Sequence, residues 1–259
     1  MTSMNTLPAH GRIACDTCFA GCGGVEFDAT RREEGDWRIT ANPLAWGSST
    51  PEIVVLGFSK GPNQAGVLAS AAHDAIAYRG GRHMVGKFLR HVGLLPGVAD
   101  ADLGSAVSSL IADRNGRFHF GSLVRCTVER REKGHWTGTG GGMLDRFVET
   151  PFGRQVARAC TRSFLSQLPP RTKLVVMFGL GNKLNYVEAC MALFSDCLGG
   201  TWRKLNDVAY SNGRITVVHV EHFKSQGALP AQWLGERDHL RADWGRQAQE
   251  AVSVAFPKT

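Results

Sequence analysis

Four short, almost uninterrupted apolar runs constrain the fold of this chain most: Ile53–Gly57 (I-V-V-L-G), Phe118–Arg125 (F-H-F-G-S-L-V-R), Lys173–Gly179 (K-L-V-V-M-F-G) and Arg214–Val220 (R-I-T-V-V-H-V). Each has the length of a strand, and none alternates polar with apolar residues. Strands of that pattern are covered on both faces, as in a parallel sheet flanked by helices. The intervening segments carry helical spacing. Met84, Val85, Phe88, Leu89 and Val92 recur up to Gly93, and Val156, Ala159, Phe164 and Leu168 up to Pro169-Pro170. Val187, Cys190, Met191 and Phe194 do the same up to Gly199-Gly200, and a last helix is expected to fill Gly235–Val254. The alternation predicts an α/β fold, a three-layer α/β/α sandwich around a central, mainly parallel four-stranded sheet. Gly61–Gly81 and Glu132–Pro151, the latter containing T-G-T-G-G-G, read as loops. No repeat or low-complexity linker divides the chain, so residues 1–259 are expected to form a single domain.

With 43% hydrophobic and 20% charged residues over 259 positions, the core is large enough to fold without help from a metal. A net charge of +7 and a pI near 9.2 favour a polyanionic partner. No apolar run approaches the ~20 residues of a membrane span, and the N-terminus lacks a basic region followed by an apolar stretch, so a cytoplasmic protein is expected. Seven cysteines in that compartment read as metal ligands or buried thiols rather than disulfides. Four of them stand out: Cys15 and Cys18 in C-D-T-C, Cys126 in L-V-R-C and Cys160 in A-R-A-C. Two thiolates from one tight turn grip a single metal centre. Two more from distant segments would close its shell and pin residues 1–45, an N-terminal extension, to the core. Soft thiolates suit zinc or an iron–sulfur cluster. Cys22 competes with Cys18 through the spacing C-x-x-C-x-x-x-C, while Cys190 and Cys197 lie on an expected helix as core filler.

In open α/β sheets, ligands bind beyond the carboxyl ends of the strands. Those positions carry G-F-S-K-G-P-N-Q (Gly57–Gln64), Cys126 beside V-E-R-R-E-K, G-L-G-N-K (Gly179–Lys183) and E-H-F-K-S-Q-G (Glu221–Gly227). In this order they resemble the motifs of the uracil-DNA glycosylase superfamily. The closest branch is the iron–sulfur one, family four. V-V-L-G-F-S-K-G-P resembles the first motif; Gly57, Gly61 and Pro62 match the G-M-N-P-G-P of the single-strand-selective branch, where family four has G-E-A-P-G. Gly86 to Leu94 (G-K-F-L-R-H-V-G-L) is similar to the family-four helix that follows. G-S-L-V-R-C lines up with T-N-x-V-K-C, A-R-A-C-T-R-S-F-L with the helix of the second pair of cluster ligands, and the third strand with P-x-x-I-x-x-L-G. V-E-H-F-K-S stands where the family carries H-P-S. The likeness runs from Cys15 to about Gln226.

The resemblance implies that Cys15, Cys18, Cys126 and Cys160 hold a structural four-iron, four-sulfur cluster (4Fe–4S), with zinc the alternative. It implies a DNA-repair enzyme that hydrolyses the N-glycosidic bond of uracil, or of related deaminated or oxidised bases, and leaves an abasic site. His222 would stabilise the departing base. The family's water-positioning Asn or acidic residue is replaced here by Phe58 and Ser59, with Lys60 in place of a proline, so Ser59 or Asn63 would hold the water. The base would be contacted by the backbone of Gly57 and Phe58, by Tyr78 as a stacking ring and by Ser122 in place of a base-reading Asn. A hydroxyl discriminates less than an amide, which predicts looser base selectivity. Lys224, Ser225 and Gln226, in the loop that would enter DNA together with Leu229, and the basic stretch Arg130, Arg131 and Lys133 are expected DNA contacts. The expected partner is DNA containing uracil, bound by a monomer. Two other readings remain: a catalytically inactive DNA-binding protein on the same fold, motivated by the altered first motif, and an iron–sulfur redox or sensor protein.

Overall fold

The computed structural model describes residues 6–61, 64, 67–68, 70–138 and 143–257. A two-residue strand β1 (Gly11–Arg12) and a single 3₁₀ turn (Thr17–Phe19) precede β2 (Arg31–Glu34), β3 (Trp37–Thr40), β4 (Leu44–Gly47) and β5 (Ile53–Gly57). Helices α1 (His73–Ile76), α2 (Arg82–His91) and α3 (Leu103–Ala112) lead to β6 (Phe118–Ser122). Then follow β7 (Thr127–Glu132), β8 (His135–Thr137), α4 (Met143–Glu149) and α5 (Pro151–Leu165). The remainder comprises β9 (Leu174–Phe178), α6 (Asn185–Leu198), β10 (Arg203–Asn206), β11 (Ala209–Ser211), β12 (Thr216–Val220), α7 (Leu229–Trp233) and α8 (Leu240–Ala255).

The four apolar runs supply the centre of one sheet, in the order β6-β5-β9-β12, all parallel. Val55 pairs with Phe120 on one side and Val176 on the other, and Val176 with Val218, so the register is level across all four. Every residue of these strands is buried, which is why their sequences do not alternate. The sheet has eight strands rather than the expected four, in the order β1-β4-β6-β5-β9-β12-β11-β10. Antiparallel strands extend both edges. They are two to four residues long, too short for a periodic signal. The outer strand β10 (R-K-L-N) is mostly exposed and carries two cations, which blunts that edge against further pairing. The result is a mixed α/β fold compatible with a sandwich.

A second, antiparallel sheet, β2-β3-β7-β8, was not foreseen. Its β2 and β3 come from the N-terminal segment, so strand pairing, Trp37 with Arg130 through Thr40 with Thr127, ties that segment to the core independently of any metal. The described part of Glu132–Pro151 is therefore more than a loop. Lys133 and Gly134, with φ of 48° and 82°, make a two-residue turn of the kind that matches strand twist, and β8 and α4 follow. Gly61–Gly81 likewise contains α1. Between the small sheet and α4–α5 lies a second core of Phe19, Trp37, Ile39, Val128, Phe147, Phe152 and Val156, joined by Cys126 and Cys160. Helix α5 starts where the sequence dictates. Thr150 Oγ1 accepts from the Gly153 N–H at 3.0 Å and Pro151 fills the first helical position. The last helix begins at Leu240, five residues later than the start of the expected range, with the His239 side chain capping the Arg241 N–H.

Candidate metal centre and strand-end site

The 3₁₀ turn carrying Cys18 packs on α5, which carries Cys160 on its buried face. The Cys160 thiol donates to the Cys18 sulfur, which raises Cys160 and lowers Cys18. Cys126, directly before β7, faces Cys18, Cys160 and Cys15 electrostatically, and burial pushes its thiol up to about 12. Cys15 donates to Thr17 Oγ1 at 3.6 Å. The four cysteines picked from the sequence are thus brought into one electrostatic neighbourhood. Cys22 is exposed, Cys190 is buried within α6, and Cys197 lies beside Asp196. Among the described residues no three of these sulfurs lie within 4.8 Å of one another.

Two cations share this neighbourhood. Beyond their strand ends the chains from β5 and β6 stay paired: Leu123 N–H donates to Gly57 O at 2.8 Å and Val124 N–H to Phe58 O at 2.9 Å, and Lys60 bridges to Thr127. That pairing buries Lys60 to 2% exposure and sets its Nζ on the Arg125 carbonyl. Arg125, 1% exposed, folds back over its own strand. Its Nη1 donates to His119 Nε2 at 3.3 Å, and His119 Nδ1 donates to Ser48 O at 2.9 Å. A Cβ at Gly121 would meet the end of this guanidinium, so the glycine leaves the arginine room in this position. Arg125 Nη2 has no hydrogen-bond partner. Among the described residues neither cation pairs with a carboxylate. Asp28, whose charge acts on Lys60, accepts instead from Asn42 at 2.8 Å. Burial lowers Lys60 to about 8 and Arg125 to about 10, which leaves both charged at neutral pH, and it holds His119 neutral at about 3.

At the carboxyl ends of the parallel strands, Gly57 pairs with Ser122 and the Gly179 N–H donates to Val220 O at 2.8 Å. The chain leaving β12 is organised by Glu221, a buried carboxylate at 4% exposure. It accepts from the His222 N–H at 3.0 Å, the Ser225 hydroxyl at 2.7 Å and Arg241 Nη1 at 2.6 Å. His222 is half-buried. Its Nδ1 accepts from the Lys224 N–H at 3.2 Å, so the hydrogen of the neutral ring sits on Nε2. Burial is the main cause that lowers its pKa to about 4. The ring leans on Phe223 at 4.6 Å, and Phe223 meets Tyr78 and Phe178 edge-on at 5.1 and 5.4 Å.

The other expected positions are placed less simply. Tyr78 is buried among Phe120, Phe178 and Phe223, with a φ of 52° and a hydroxyl that has no partner. Phe58 turns its ring to Phe147 at 5.9 Å, bridging the two cores, and Ser59 is half-buried. Asn63 lies outside the described residues. Ser225 directs its hydroxyl to Glu221, Lys224 reaches Gly80 O at 3.3 Å, and Gln226 is exposed. Arg130 and Arg131 lie in β7, paired with Glu132 and Glu33 and seated over Trp37 and Trp136. The sequence reading missed Glu221, Arg241, Lys60 and Arg125 as organising residues; a carboxylate directly before His222 was the one signal on offer.

A third cluster, His10, His73 and Asp74, has three potential ligand atoms within 4.8 Å of one another. His10 Nδ1 accepts from the Gly47 N–H at 3.2 Å, which places the hydrogen on Nε2, 2.8 Å from Asp74 Oδ1. Burial is the main cause that lowers His10 from its ordinary value, so the contact with Asp74 is that of a neutral ring rather than an ion pair. His73 gives its Nε2–H to Ala45 O at 2.9 Å and stacks on Trp46. With the His10 lone pair already engaged, the cluster acts as a strap between the N-terminal segment and α1. No helix among the described residues is long and apolar enough to cross a membrane. No protein-family model and no curated protein matches the chain.

Proposed function

We propose that the chain is a monomeric iron–sulfur DNA glycosylase of the uracil-DNA glycosylase type, built as a three-layer sandwich. It removes uracil and related deaminated or oxidised bases by hydrolysis and leaves an abasic site. The observation that carries this reading is His222: at the carboxyl end of a central parallel strand, half-buried, neutral, with its hydrogen on Nε2.

Departure of the base develops negative charge on its carbonyl oxygen. A fixed donor aimed there lowers the barrier, and losing one such donor costs about 10²–10³-fold in rate. A neutral imidazole suits the task because it donates without surrendering its proton. Glu221 holds the His222 backbone through one oxygen, so the ring is positioned before the base arrives. The Ser122 hydroxyl and the N–H groups of Gly57–Ser59 would read the base edge, and Phe223 with Tyr78 beneath it forms an aromatic wall beside the histidine. Extrusion of the base costs a few kcal/mol, offset by phosphate contacts from Lys224 and Gln226 and by a surface of net charge +7. Arg130 and Arg131 contribute on release from their exposed carboxylates, since such pairs are weak. Lys60 faces inward, so Ser59 is the polar side chain of the described first loop left to orient water.

Cys15, Cys18, Cys126 and Cys160 would hold the cluster, which supplies a structural tie and no step of the hydrolysis. Zinc, bound directly by the four thiolates, is the alternative. A second reading, a DNA-binding protein without turnover, is favoured by the lack of a carboxylate in the described part of the first loop.

The test is release of uracil from a labelled oligonucleotide. Wild type should generate alkali-sensitive abasic sites, and His222→Ala should do so about 10²–10³-fold more slowly. Equal rates remove His222 from the mechanism. Tight binding of uracil-DNA without release by the wild type selects the second reading.

A further inference from the structure

Two cations buried without a carboxylate are costly. Each carries an effective desolvation penalty of several kcal/mol, against a total stability of only about 5–15 kcal/mol for an ordinary domain. Lys60 and Arg125 are in this position, at 2% and 1% exposure. Lys60 has one carbonyl and Arg125 one imidazole nitrogen, and Arg125 Nη2 has nothing. Apart from Asp28, which acts on Lys60 less than the cysteines do, and the Phe164 ring under Arg125, what these charges face is sulfur: Cys126 and Cys160 act on Lys60, and Cys160 acts on Arg125. As thiols these cysteines are neutral and leave the cations uncompensated. As metal ligands they are thiolates. Four thiolates outweigh the charge of a zinc ion, or of an oxidised four-iron core, by two. Two cations meet that excess one for one.

We infer that Lys60 and Arg125 are the built-in counter-charges of the cysteine centre, holding a doubly anionic metal–thiolate group inside the core. The inference rests on the reading of Cys15, Cys18, Cys126 and Cys160 as metal ligands. It also gives a reason for the lysine that occupies the first motif. Placed against the Arg125 carbonyl, Lys60 serves the metal centre rather than the base, and links the loop after β5 to it. His119 and Gly121 are positioning residues: one orients the guanidinium and the other leaves room for it. A positive neighbour stabilises the reduced, more negative state of a cluster more than the oxidised one, so it raises the reduction potential.

The experiment begins with iron and sulfide content and visible absorption of wild-type protein purified without oxygen. Its one-electron reduction by dithionite is then titrated by electron paramagnetic resonance. Lys60→Met removes the charge at similar volume. At a fixed potential its ratio of reduced to oxidised cluster should fall at least tenfold, about 59 mV for one electron, and Lys60→Arg should recover most of that loss. If the centre holds zinc, Lys60→Met should weaken it at least tenfold in competition with a chelator. If Lys60→Met fails to load and Lys60→Arg loads, the charge requirement stands. Failure of both variants to load, or an unmoved potential in a loaded Lys60→Met protein, overturns the inference alone. Wild-type protein without any metal overturns the cysteine reading first, and the inference with it.

Discussion

At the scale of single residues, the site depends on buried groups that gather several partners, local and distant. Glu221 is the clearest case. Its three donors come from the next residue, from Ser225 and from Arg241 in α8. Removing one partner of a buried ion pair leaves the other charge uncompensated, at a cost of about 3–5 kcal/mol. Glu221→Ala should therefore lower the urea midpoint strongly. It should also slow base release at least tenfold at denaturant-free temperatures where the variant remains folded, because the His222 N–H loses its anchor. His222→Ala, by contrast, should slow release with little change in midpoint. Comparable losses of stability in both variants would show that Glu221 and His222 are one packing unit rather than anchor and donor. The resemblance pointed to His222, and the one hint of Glu221 was its place directly before that histidine; its role depends on Arg241 arriving from α8. Lys60 was equally opaque: in a loop, a lysine reads as solvated, and only the pairing of residues 57–60 with 123–127 buries it.

At the scale of elements, the strength of the sequence signal followed length and burial. Strands β5, β6, β9 and β12, buried throughout, were legible as continuous apolar runs. Helices α2, α5 and α6 were legible from their apolar stripes and their terminating Gly and Pro residues. The small antiparallel sheet was not, since its central β3–β7 pairing joins residues about 90 positions apart and four of the six residues of β7 are charged. Helix α3 was also missed: its serines and glycine dilute an apolar stripe of only Leu103, Val107 and Ile111. The 3₁₀ turn favours Cys18 over Cys22 as the proposed ligand, since Cys18 packs with Phe19 onto α5 while Cys22 stays exposed. Cys18→Ser should consequently abolish metal loading, and Cys22→Ser should leave iron and sulfide content at the wild-type level. Loss of metal in Cys22→Ser with retention in Cys18→Ser would reverse the assignment.

At the scale of the whole molecule, burial of titratable groups sets how stability responds to acid. Three histidines are held neutral inside the fold: His119 at about 3, His219 at about 4 and His222 at about 4, each lowered chiefly by burial from an ordinary value of 6.5. His219 gives the cleanest case. It sits in β12 between the Gly179 carbonyl and the Tyr210 hydroxyl, away from the cysteines. Above pH 6.5 neither the folded nor the unfolded chain protonates these rings, and stability is insensitive to them. As the pH falls below 6.5 the unfolded chain takes up protons that the folded chain refuses, so stability declines until the folded rings titrate near 4 and below. Each ring contributes a slope of up to about 1.4 kcal/mol per pH unit in that window, and three together up to about 4. Urea unfolding followed between pH 7 and 5 should show this decline, and His219→Gln should flatten it by up to about 1.4 kcal/mol per pH unit. A wild-type slope near zero in that range would mean that water reaches these rings and that the strand ends are more open than their burial indicates.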